Sequence, residues 1–109
     1  MTYGGSLATA LFYQRESALL ENQANVLQDR IYRNHTQISN METTAINYNA
    51  GSPQLRQLHA QITQLRHVEA YLQRQLSIIS KKMEMAEKNE EQWMERASKY
   101  LERMSKLIK

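Results

Sequence analysis

Cysteine is absent, which removes a disulfide framework, a thiol nucleophile and a thiolate metal site. One proline and three glycines leave few helix breakers among abundant Gln, Glu, Arg, Lys, Leu, Met and Ala, a helix-compatible composition. No run comes near the roughly 18 apolar residues a membrane-spanning helix needs. Nor does a basic start lead into an apolar run, so a cleaved signal peptide is not expected. A cytoplasmic location, or export without a cleaved signal, is the expectation. The 109 residues suit one domain and leave no room for a substantial enzyme core. The formal charge of +3 does not by itself imply nucleic acid. It is unevenly placed: residues 1–53 carry 3 basic against 4 acidic residues, and residues 54–109 carry 11 against 7.

What is present is a long heptad pattern from Ser52 onward. With Leu55 at position a, the a series runs Leu55, Ile62, Glu69, Leu76, Met83, Glu90, Ala97 and Met104. The d series runs Leu58, Leu65, Leu72, Ile79, Ala86, Trp93, Tyr100 and Leu107. The 3–4 spacing never slips, which predicts a long coiled-coil helix over 54–108. Only Glu69 and Glu90 put charge on this seam, and both are candidate register residues. Glu69 is expected to pair with Arg30, Arg33 or a base on a partner.

The preceding segment is also helix-compatible. Met1–Ser6 reads as a flexible N-terminus, with Ser6 capping a helix over 7–46. Its best register puts Ala10, Ser17, Ala24, Ile31, Ile38 and Ala45 at a, and Tyr13, Leu20, Leu27, Asn34, Met41 and Tyr48 at d. Leu20, Leu27, Ile31, Ile38 and Met41 supply most of this seam; Leu55, Leu58, Ile62, Leu65, Leu72, Leu76, Ile79 and Met83 answer from the second helix. Leu7, Leu11, Phe12 and Leu19 extend the apolar surface around the helix, as a second packing face or a partner site.

The stretch 47–53, Asn-Tyr-Asn-Ala-Gly-Ser-Pro, joins the two. Asn and Gly suit the end of one helix, and Ser52 before Pro53 suits the start of the next. A short connection favours antiparallel neighbours. The expected fold is therefore all-α: a long antiparallel helical hairpin, a single coiled-coil domain completed by oligomerisation or a partner. Mirror symmetry about the turn pairs Ile38 with Ile62, Ile31 with Glu69, Leu20 with Ile79 and Leu7 with Trp93.

At 1.5 Å per residue the arms measure about 60 Å and about 80 Å. The excess leaves an overhang near 93–108, where Trp93, Met94, Ala97, Tyr100, Leu101, Met104, Leu107 and Ile108 form a wide apolar stripe. Arg96, Lys99, Arg103 and Lys106 flank it. This stripe is the candidate partner-binding surface.

Other constellations are weaker. His35, His59 and His67 lack metal-ligand spacing, and no nucleophilic triad can be assigned. Catalytic, metal and cofactor-binding residues are accordingly none, with no small-molecule substrate. Glu84, Glu87, Glu91 and Glu95 read as a solvated face beside Lys81 and Lys88. Asn34-His35-Thr36 matches a glycosylation pattern inside a helical segment and is discounted. Gly4-Gly5 lacks the lysine and spacing of a phosphate loop.

The function expected is a non-enzymatic protein–protein interaction module, an adaptor or chaperone presenting apolar helical surface to a helical partner or to itself. Met41, Met83, Met85, Met94 and Met104 favour an adaptable surface. The alternatives are a structural subunit of a filament, scaffold or secretion-type assembly, and a weak nucleic-acid or membrane-surface binder through the basic C-terminal helix. Acidic residues interrupt the positive face, so nucleic acid is not favoured. The same interruptions count against the membrane surface, and integral membrane association is not expected.

Overall fold

A computed structural model describes residues 2–108. It is all-α: α1 spans Tyr3–Ala45, α2 spans Pro53–Ile108, and the two pack antiparallel as a hairpin. The second helix is the longer, at 56 residues against 43. Among the described residues no helix is long and apolar enough to cross a membrane.

The first helix starts at Tyr3, ahead of the expected Leu7, so the N-terminus is not a free segment up to Ser6. The cap is Thr2, whose Oγ1 accepts the Gly5 amide at 3.1 Å while its carbonyl accepts the Ser6 amide at 2.9 Å. Ser6, expected to cap, is one turn inside the helix. The 3–4 pattern explains this, because counting back from Ala10 puts Ser6 at d and Tyr3 at a, so the seam reaches the first turn.

The turn closes as its residues dictate. The Asn47 and Tyr48 amides bond to the carbonyls of Thr44 and Ala45, at 3.1 and 3.2 Å. Gly51 holds φ at +82°, a left-handed value that costs glycine nothing. Ser52 then caps α2: its Oγ accepts the Leu55 amide at 3.1 Å, and Pro53 occupies the first helical position. The Arg56 guanidinium bonds back to the Gly51 carbonyl at 3.1 Å.

The chain divides into two compact units, one over Ala24–Ile78 and the other formed by residues up to Gln23 with those from Ile79 onward. In the turn-bearing unit Ala24, Ile38, Ile62 and Leu72 are buried, and Leu27, Ile31, Met41, Leu55, Leu58, Leu65 and Leu76 are half-buried. Tyr48, given a d position, is exposed, because α1 has ended at Ala45. Among the described residues of this unit one buried side chain is polar, Asn34, whose Nδ2 donates to the Leu65 carbonyl of the facing helix at 2.9 Å. Glu69 lies beside it, its carboxylate 3.5 Å from His35 Nδ1. That differs from the expected Arg30 or Arg33 pairing: Arg33 is turned to Asp29 along its own helix at 3.0 Å. At the e positions Arg66 pairs with Glu42.

In the other unit Ala10, Leu20, Ala86 and Ala97 are buried, with Tyr13, Ser17, Ile79, Met83 and Glu90 half-buried. Leu20 shares a groove with Lys82, Met85 and Ala86, further along α2 than the Ile79 that mirror symmetry assigned to it. The register is thus displaced from the mirror by a few residues. Mirror pairing set a against a, whereas antiparallel side chains lean in opposite directions and bring a level with d.

Two expectations follow for this seam. Asn34→Leu raises the urea midpoint by the equivalent of about 1 kcal/mol, because apolar packing replaces a seam polar group. It also broadens the range of associated states seen by size-exclusion light scattering, because the bond to Leu65 no longer selects one register. Gly51→Ala meets no steric obstacle, yet the positive φ costs about 1 kcal/mol, read as a lower thermal midpoint.

Candidate interaction surface

The expected overhang divides in two. Because α1 begins at Tyr3, it covers more of α2 than a helix beginning at Leu7 would. Ala97 is only 2% exposed, and Trp93 and Tyr100 are half-buried, so these three belong to the seam of their unit and not to a free surface. Beyond Tyr100 the covering ends. Leu101 and Met104 are 50% and 46% exposed, and Leu107 and Ile108 are 85% exposed. Met94 is also open, on the flank of the covered part. The surface left free is therefore shorter than the predicted stripe and lies chiefly on the last two turns of α2.

The basic flank is organised by its neighbours. The Arg96 guanidinium lies over the Trp93 ring at 4.4 Å, and that of Arg103 lies 5.9 Å from the Tyr100 ring centre. Such cation–π contacts contribute about 0.5–1 kcal/mol each at exposed sites and hold the side chains along the helix. Lys99 and Lys106 instead form i,i+4 pairs with Glu95 and Glu102, at 3.5 and 3.8 Å. All four members are well exposed, so these pairs contribute a few tenths of a kcal/mol at most. Glu90 makes no ion pair among the described residues.

A second apolar surface lies off the seam on α1, where Leu11, Phe12 and Leu19 are exposed. Phe12 stands edge-on to the half-buried Tyr13, ring centres 5.4 Å apart at 76°. Leu7 is half-buried and does not join this surface. The three histidines do not converge. His35 faces Glu69, and His59 lies in a groove with Glu42 and Arg66. Among the described residues no three His, Asp or Glu side chains come together as metal ligands.

Sequence reasoning missed Ser6. It is fully buried, its Oγ has no hydrogen-bond partner among the described residues, and it lines a cavity of about 350 Å³ with Trp93, Arg96, Lys99, Tyr100 and Arg103. Carrying the heptad one step before the assumed helix start would have marked it. No protein-family model, curated protein or solved structure matches the chain.

An unpartnered buried hydroxyl costs about 1–3 kcal/mol. Ser6→Ala is therefore expected to raise stability by about 1 kcal/mol, seen as a higher urea midpoint at unchanged slope. An unchanged or lower midpoint would mean that the hydroxyl is satisfied in solution.

Proposed function

We propose that this chain is a non-enzymatic helical interaction module, an adaptor or chaperone whose α2 C-terminal turns dock against a helix of a partner protein or of a second copy. The supporting observation is the run Leu101, Met104, Leu107 and Ile108: four apolar side chains on one stripe, open to solvent where α1 no longer covers α2. Burying one such side chain contributes about 1.5–3 kcal/mol, so the stripe holds enough apolar surface for a helix-in-groove contact. Arg103 lies within this run, makes no ion pair among the described residues, and favours a partner with acidic residues beside its apolar ones.

The exposed Leu11, Phe12 and Leu19 support a second reading, a subunit of a filament or scaffold. Two distinct apolar surfaces on one subunit permit head-to-tail contacts that do not close. A closed oligomer or a complex with another protein needs only one of them.

Substituting both Leu101→Glu and Leu107→Glu in the full chain tests the reading. These positions are off the covered seam, so helical content by circular dichroism stays unchanged. Association followed by size-exclusion light scattering across a wide concentration range weakens by more than about 100-fold, because two apolar contacts are lost and two charges would be buried. A mass that levels off with concentration supports the adaptor, and continued growth supports the filament. Wild type and variant both monomeric at every concentration, with no protein partner distinguishing them, would overturn both readings.

A further inference from the structure

The turn-bearing unit carries an open groove of about 660 Å³ beside the end of α1. Its apolar residues are Ala45, Ile46, Leu55 and Ile62. Ala45 and Leu55 are half-buried, whereas Ile46, just past the last residue of α1, is 82% exposed. The α2 wall runs from Leu55 to Arg66, about 17 Å at 1.5 Å per residue. The exposed run from Leu101 to Ile108 measures about 11 Å on the same rise, so the groove is long enough to take it. Charge matches as well. Glu42 and Arg66 in the groove pair with each other and cancel. The last turn of α1, which ends at the groove, carries no basic residue, so the negative end of its dipole is not offset there. The apolar run carries the opposite sign, with Arg103 unpaired among the described residues and Lys106 in the last turn of α2. A groove lined by Gln37, Gln61 and Gln64 suits the run less well, because an apolar helix would leave those amides without partners.

We propose that the occupant of this groove is the Leu101–Ile108 run of a second copy, laid along it as a helix, so that the chain associates with itself head-to-tail. The inference rests on the docking reading above and names the partner of that surface. Leu101, Met104 and Ile108, at i, i+3 and i+7, cover Ile46 and the apolar residues beside it. Arg103 goes to the negative end of α1. Run and groove are different surfaces and every copy carries one of each, so the contact is heterologous.

Two full-length variants test this, each lacking one surface. Ile46→Glu with Thr63→Glu puts charge in the groove; both positions are exposed and Ile46 lies outside the helices, so helical content is retained. Leu101→Glu with Leu107→Glu removes the run. By size-exclusion light scattering, wild type associates as concentration rises, and each variant alone associates at least about 100-fold more weakly. An equimolar mixture of the two gives a complex of one copy of each and nothing larger. In it the run of the groove variant occupies the groove of the run variant, and no second intact pair remains. Both variants carry added carboxylates, so opposite charges do not account for their pairing. A groove variant that associates like wild type, while the run variant does not, overturns this proposal and leaves the docking reading standing with a different partner. A mixture that stays monomeric also overturns the proposal. A run variant that associates like wild type overturns the docking reading together with it.

Discussion

Everything in this protein depends on a two-residue-wide seam that repeats every 3–4 positions along both helices. A helical hairpin has no second layer, so each turn contributes one side chain at a or d and little else shields the backbone from water. The covered positions are correspondingly small in many places: Ser6, Ala10, Ala24, Ala86 and Ala97 are all buried. Small side chains bury little apolar area each, but they let the helices approach and leave room for Trp93, Tyr13 and Tyr100 beside them. Stability is spread thinly over many contacts, and exposed apolar residues remain because no further element covers them.

Polar groups within that seam do different work from the apolar ones. Asn34 donates to a main-chain carbonyl of the facing helix, so its buried amide is satisfied across the seam. Glu69 uses its half-buried position to meet His35, an ion pair only when the imidazole is protonated. Arg66 and Glu42 add a crossing pair on the seam's edge. Such contacts contribute little net free energy, yet a displaced register would leave Asn34 without its partner. Ser6 is the exception, a polar group in the seam with no partner among the described residues.

Much of the fold was legible in the residues. The unbroken alternation from Leu55 to Tyr100 required a long helix, and the Gly51-Ser52-Pro53 stop and start required a reversal. Both arise from local chemistry, through periodic apolar side chains, a left-handed glycine and a proline that suits only the first helical turn. The start of α1 was not legible in the same way. Ser6 is as good a cap as Thr2 in isolation, and only the seam's need to continue back to Tyr3 decides between them. That shift carries over to the candidate surface, because a few more residues on α1 cover Trp93, Ala97 and Tyr100 and leave the free apolar turns further along. The pairing of Glu69 with His35, where Arg30 or Arg33 was expected, depends on side-chain direction, since Arg33 is turned to Asp29.

The hairpin also sets how far apart in the chain its contacts are. The turn links residues a few positions apart, the bond from Asn34 to Leu65 spans 31 positions, and Ser6 shares a cavity with residues near the opposite end of the chain. Loop-closure entropy rises with that span. The structure is therefore expected to zip from Gly51 outward, with the contacts around Ser6 the last to form and the first to open.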